Sequence, residues 1–281
     1  MDAREFKNII YDKDDKTGIV LVTINRPEIK NALTILVLLE LYRAADLFET
    51  DETALAMILT GARTVNSNDP TNEAFSSGGY FNLAELEGLD DETKNEIDLT
   101  DIAQKKLCIK LWQVNKPIIA AINGLAIGGG FTVPLACADL IYVSEHAWVK
   151  LPFISLGLIP ELASSYLLPR ILGFQRAKEI FFFGEKLDAP KLLELGLINK
   201  ILPHNELIDY SKEMAAKLVP PQGASLAVSL TKQALHRPLI KAISRALDEE
   251  NEGLGKSFAS ADFWEALAAR KEKRNPDFKG T

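Results

Sequence analysis

The sequence predicts an α/β fold in which strand, turn and helix succeed one another along one chain. Three observations predict it. Short apolar runs with strand character recur between Gly18 and Leu202, glycine-rich turns follow two of them, and from Gln175 onward the apolar spacing is almost entirely helical. The 281 residues are 47% hydrophobic and 25% charged, which suffices for a sizeable core in one main domain with a helical appendage.

Taken in order, Gly18 to Asn25 reads as a strand, and Leu33 to Glu49 follows as a helix through the spacing of Leu36, Leu39, Leu41, Ala45 and Phe48. Ala54 to Thr60 is the next apolar strand. Gly61 to Ala74 is a polar loop containing Asn66, Ser67, Asn68, Asp69 and Pro70, and it delivers Phe75-Ser76-Ser77-Gly78-Gly79-Tyr80-Phe81. Between Glu85 and Asp101 eight acids stand against the single Lys94, a composition that predicts a solvated flexible flap. Pro117 to Ile122 is a strand that feeds Asn123-Gly124-Leu125-Ala126-Ile127-Gly128-Gly129-Gly130, and Phe131 to Ala138 is a short buried helix. Leu140 to Ser144 and Trp148 to Leu151 are strands. Pro160 and Glu161 stand where a helix through Leu168 should begin, and Gly196 to Leu202 is a last strand-like piece. The run Phe181-Phe182-Phe183 reads as core.

Charge and cysteine content narrow the function. A net charge of -7 offers no global field for nucleic acid or anionic lipid, so the expected partner is a small molecule. No run approaches the roughly 20 apolar residues of a membrane span. Cys108 and Cys137 both lie in apolar segments, which suggests neither a disulfide framework nor zinc, and His146, His204 and His236 lack metal-ligand spacing. A reducing compartment is expected. Asp139, closing the buried helix before a strand, reads as a structural acid. The charged N-terminus lacks a signal core, and Lys279-Gly280-Thr281 is not a peroxisomal tripeptide.

Two glycine turns can aim backbone N–H groups into a shared space, where they would stabilise negative charge developing on a thioester oxygen. The alternative is a pair of ordinary tight turns, and Gly128-Gly129-Gly130 lacks the spacing of a dinucleotide fingerprint.

Asn25-Arg26-Pro27, Asn31-Ala32-Leu33, Phe75 to Gly79, Asn123 to Gly130 and Leu156-Gly157-Leu158-Ile159-Pro160 together resemble the enoyl-CoA hydratase/isomerase (crotonase) superfamily. The tail from Glu249 through Lys279 is similar to that family's C-terminal helices. The resemblance implies a crotonase-like spiral of ββα turns over residues 1–200 and a C-terminal helical trimerisation region over 201–281. It further implies a homotrimer or homohexamer, a coenzyme A thioester as substrate rather than a resident cofactor, no metal, and N–H donation from Gly79 and Gly129. For ligand binding it points to Arg26 and Ala32 in the first turn, to Ser77, Gly78, Tyr80 and Phe81 around the oxyanion turn, and to Lys273 as an ammonium for a coenzyme A phosphate; the alternatives are that Tyr80 packs in its turn and that Lys273 is a solvated lysine at a charged helix end.

Within that family, hydratases carry two glutamates at places held here by Thr132 and Phe153. A hydroxyl and a phenyl ring do not position and activate water, so hydration is not expected. Glu161 instead matches the glutamate of the peroxisomal type of Δ3,Δ2-enoyl-CoA isomerase, with Leu162 replacing a glycine and Ser164-Ser165 preserved. The expected activity is therefore double-bond migration by one glutamate, its proton affinity raised by a pocket of Phe153, Leu156, Leu158 and Leu162. Another crotonase-type reaction and a silent acyl-CoA-binding scaffold are the rival readings. A further alternative for Glu161 is an acid that merely complements a helix dipole, worth about 0.3–1 kcal/mol. The compartment is expected to be peroxisomal or cytoplasmic.

Overall fold

The computed structural model describes residues 6–64, 69–80 and 82–281. A six-stranded sheet in the order β1-β2-β3-β5-β7-β10 forms the centre. Its strands are β1 (Ile9–Lys13), β2 (Ile19–Ile24), β3 (Ala56–Gly61), β5 (Ile118–Ile122), β7 (Leu140–Ser144) and β10 (Lys200–Leu202). Only β1 runs antiparallel. Every residue of β3 and β5 is buried, as expected for central strands of a parallel sheet covered on both faces. A second, four-stranded sheet joins β4 (Ala74–Ser76), β6 (Leu125–Ile127), β8 (Trp148–Lys150) and β9 (Leu187–Asp188) in that order. Successive passes of the chain place one strand in each sheet and then a helix, which is the spiral expected.

Helix α1 (Ile35–Thr50) starts at Thr34, whose side chain accepts from the Val37 N–H, and it buries Val37, Leu41, Ala44 and Phe48 against the first sheet. Helix α4 (Gly129–Cys137) buries eight of its nine residues and tolerates Pro134 at its core. The strand β1 was not anticipated, because only one of its five residues is buried.

The acidic stretch is mostly exposed, as expected, and it also carries helices and ion pairs. Asp90 caps α2 (Asp91–Glu96) through the Thr93 N–H, Arg43 of α1 pairs with Glu96 at 2.8 Å, and Asp101 accepts from the first amides of α3 (Lys105–Gln113). Its acids serve as helix caps and ion-pair partners, so the segment is tied to α1. Of the three phenylalanines expected in the core, only Phe181 is buried. Phe182 and Phe183, near the end of α6 (Phe174–Phe183), are exposed because three consecutive helical positions cannot share one face.

The boundary expected between residues 200 and 201 falls inside β10, which pairs with β7. Helix α8 (Leu207–Ala216) also covers the first sheet, placing Leu207 and Ala215 in a cluster with Ile58, Ile119 and Tyr142. The remaining C-terminal helices are α9 (Ser225–His236), α10 (Ile240–Ala259) and α11 (Ala261–Glu272). Among the described residues no helix is long and apolar enough to cross a membrane.

Candidate active site

The two glycine turns do meet. Leu33 forms an isolated parallel bridge with Gly79, in which the Leu33 N–H donates to Gly78 O at 2.8 Å and the Tyr80 N–H donates to Leu33 O at 3.1 Å. That bridge uses neither polar atom of Gly79. Gly78 has φ +88°, and a Cβ there would stand 2.3 Å from the carbonyl oxygen of Ile127, so only glycine lets the turns approach this closely. Ser77 fastens the same turn to the first one, its N–H donating to Lys30 O at 2.9 Å and its hydroxyl to Ile29 O at 3.1 Å.

Glu161 lies before α5 (Ser164–Leu172) rather than in its first turn, because Leu162 and Ala163 both adopt left-handed backbone, with φ 55° and 58°. The alternative of an acid complementing its own helix does not match this geometry. The carboxylate instead faces the N-terminus of α4: an ideal Cβ on Gly129 would lie 2.9 Å from Glu161 Oε1. Enclosure of the carboxyl raises its pKa to about 7, the Glu250 carboxylate adds to the rise, and the Gly129 N–H opposes it by donating a hydrogen bond. Glu161 keeps some surface open to a cavity of about 30 Å³, whose apolar walls are Leu33, Ile35, Leu38, Ile102 and Leu162. Gly79, Tyr80 and Gln104 complete it.

This composition corrects part of the expected pocket. Leu162 is in it, fully buried. Phe153, Leu156 and Leu158 are not: the Phe153 ring packs 6.4 Å from Phe181, behind the Gly128 turn, and Leu158 packs on the main core. The walls come instead from α1 and from the segment before α3, residues whose approach to Glu161 depends on tertiary folding. Thr132 is fully buried, and its hydroxyl donates to Gly128 O at 3.4 Å.

Four residues, Ile35, Leu38, Ile102 and Gln104, also line a second cavity of about 320 Å³. Leu39, Tyr42, Leu107 and Phe258 are among its other walls, and its volume lies in the range of small-molecule sites. Ile97 and Leu99 of the acidic stretch close one side. The small cavity at Glu161 thus shares a wall with a largely apolar chamber.

Arg26, Ala32 and Lys273 are not among the walls of the cavity at Glu161. Arg26 is held by acids, its Nε 2.6 Å from Glu28 and its Nη2 3.4 Å from Glu85, while Nη1 donates to Asn8 at 2.9 Å. Ala32 is buried in the first turn, and Lys273 sits exposed and left-handed after α11. Phe81 lies outside the described residues.

The sequence reading missed Glu250. It is 2% exposed on α10, and its carboxylate accepts from the Ala163 N–H at 2.8 Å, from the Ser165 N–H at 3.0 Å and from the Ser165 hydroxyl. A signal was present: Ile243, Leu247, Glu250 and Leu254 fall on one helical stripe, and all four are buried. The neighbouring acids Asp248 and Glu249 disguised it as part of a solvated run.

Comparison with known proteins agrees with this architecture. A family model described as enoyl-CoA hydratase/isomerase matches residues 14–281. The short-chain-enoyl-CoA hydratase of Clostridium acetobutylicum is 34% identical over 270 residues, covering 96% of this chain and 97% of that protein. The crotonyl-CoA hydratase of Syntrophomonas wolfei is 29% identical, covering 97% and 98%. Among solved structures, an enoyl-CoA hydratase/isomerase from Pseudoalteromonas atlantica superposes with a TM-score of 0.82 at 27% identity, over 97% of this chain and all of that one. Two glycine turns meeting at a buried carboxylate, on a spiral shared with these proteins, make this chain a member of the enoyl-CoA hydratase/isomerase (crotonase) superfamily.

Proposed function

We propose that the protein is a Δ3,Δ2-enoyl-CoA isomerase. The observation that carries this reading is that Glu161 is the one carboxylate lining the cavity beside Gly79 and Gly129, among the described residues. The places of the two hydratase glutamates are taken by Thr132, which bonds its own helix, and by Phe153, which packs in the core.

In this reading the substrate takes the Gly129 N–H from Glu161, so that the thioester oxygen lies between the N–H groups of Gly79 and Gly129. Glu161 removes a proton from C2, the C–H electron pair becomes the C2–C3 double bond, and the former C3–C4 π pair takes the proton back at C4. Charge on the intermediate dienolate oxygen is stabilised by the two N–H donors. A carboxyl with a pKa of about 7 suits both halves, since it is a competent base near neutrality and an adequate acid once protonated. The acyl tail extends past Ile35 and Ile102 into the apolar chamber. No resident cofactor is needed, because the reaction moves one proton and no net electrons. Exposed Leu226, Leu230 and Leu235 on α9 and Trp264 on α11 support the further expectation of a homotrimer or homohexamer.

The names of the similar proteins favour a second reading, hydration of a 2-enoyl-CoA, with Glu161 passing water's proton to C2. Incubating the protein separately with 3-enoyl-CoA and 2-enoyl-CoA distinguishes the two. The proposal expects the conjugated 2-enoyl product from the first and little 3-hydroxyacyl-CoA from the second, with the activity abolished by Glu161→Gln. Efficient hydration without isomerisation overturns it.

A further inference from the structure

We propose that Glu250 is a positioning residue for Glu161, holding the left-handed turn at Leu162 and Ala163 that aims the base at Gly129. The inference rests on the reading of Glu161 as the base.

Left-handed backbone costs an L-residue roughly 1–2 kcal/mol, and here two successive non-glycine residues adopt it between Glu161 and α5. Something outside the segment has to compensate. Glu250 reaches over from α10, 87 residues beyond Ala163, and gathers the Ala163 N–H, the Ser165 N–H and the Ser165 hydroxyl on one carboxylate. It acts as the cap of α5 that the local sequence does not supply, since Ala163 stands at the N-cap with no side-chain acceptor. The Leu162 N–H is satisfied separately by Ala103 O at 3.2 Å. The N–H groups of Leu162, Ala163 and Ser165 are thereby matched to acceptors far away in sequence, while the Ser164 N–H donates to Glu161 O at 3.0 Å.

The same carboxylate bears on the proton of Glu161. Burial raises Glu250 to about 7, but its three donors favour the ionised form, whereas Glu161 has the Gly129 N–H alone. Once ionised, Glu250 opposes ionisation of Glu161 by its charge. The other ionisable groups near α10 are differently engaged. The Cys108 thiol on α3 is pushed above its usual range by burial, Lys105 pairs with Asp248, and Asp101 accepts from Asn251. Helix α11 faces α10 with the Phe258–Phe263 ring pair, and α5 with Ser165.

The test is the pH profile of kcat/KM for 3-enoyl-CoA isomerisation in the parent, Glu250→Gln and Ser165→Ala, with folding checked by circular dichroism. Glu250→Gln is expected to move the acid limb down by roughly one unit and to lower kcat about tenfold with KM little changed. Ser165→Ala, which removes one donor at an exposed position, is expected to shift the limb in the same direction by less, and it serves if Glu250→Gln does not fold. An unmoved acid limb in a folded variant overturns the proposal. If Glu161→Gln is inactive while Glu250→Gln behaves as the parent, only the role of Glu250 fails. If Glu161→Gln is active, the reading of Glu161 fails with it.

Discussion

Glu161 and Gly129 face each other so closely that a methyl group on Gly129 would stand 2.9 Å from the carboxylate. In the proposed reading the base and an oxyanion donor thus stand side by side, where a bound thioester would be reached by both. Catalysis would then depend on the absence of a side chain at residue 129 as much as on the presence of one at 161.

Gly129→Ala is accordingly expected to fold but to lose activity. The added carbon would meet Glu161 Oε1 and, at 3.0 Å, Leu33 Cδ1, displacing the carboxylate from its line to the substrate. Misplacing a reacting group by about 1 Å is enough for roughly a hundredfold loss. Steady-state kinetics beside a thermal melt will separate this from simple unfolding.

Glu161→Gln is expected to lower kcat by at least 10²–10⁴, roughly the range for a general base. The amide keeps the side chain's size but takes no proton. Binding of a coenzyme A thioester, read by calorimetry, should persist, and full loss of both would point to a structural role.

Stability should fall as pH rises through neutrality. Glu161 moves from an ordinary 4.5 to about 7 in the folded protein. Between those values the unfolded chain has released a proton that the folded chain still holds, so the slope of unfolding free energy against pH is negative. The contribution is fully present below 4.5 and lost as pH passes about 7; it amounts to no more than about 3 kcal/mol. Melting temperatures of the parent and Glu161→Gln from pH 5 to 8 will check this: the parent should lose stability relative to the variant toward high pH.

Leu162→Gly exchanges backbone strain for an emptied wall. Relief at φ 55° is worth about 1 kcal/mol, while removing a Leu side chain that is 1% exposed costs about 2–5 kcal/mol. The expected net result is a destabilised enzyme with a raised KM, measurable by denaturant titration and kinetics. A stabilised variant would mean that the strain outweighs the packing.

Ile102→Trp should restrict acyl length. Ile102 is a wall of both the small cavity and the 320 Å³ chamber, so a larger side chain there is expected to block a long tail and spare a four-carbon one. The ratio of kcat/KM for ten-carbon over four-carbon substrates is expected to fall at least tenfold, since several buried methylenes at about 0.8 kcal/mol each are lost.

Much of the fold was legible because its signals are local. Buried parallel strands read as unbroken apolar runs, glycines mark the close turns, and the apolar spacing after Leu33 marks α1. Gly79, Gly129, Glu161 and Leu162 were likewise named by motif, and they do converge. By itself, then, the sequence determined the α/β spiral, the two turns and the identity of the acid.

Tertiary structure alone decided what surrounds that acid. Ile102 and Gln104 follow directly on the acidic stretch and carried no signal of their own, and Phe153, close to Glu161 in sequence, turned away into the core. Glu250 was hidden among exposed acids until α10 packed against α5. The physical reason is common to all three: hydrogen bonds and burial between residues tens of positions apart leave no local pattern. The proton affinity of Glu161 is set by those distant neighbours, whereas its identity as a carboxylate is set by one letter of the chain.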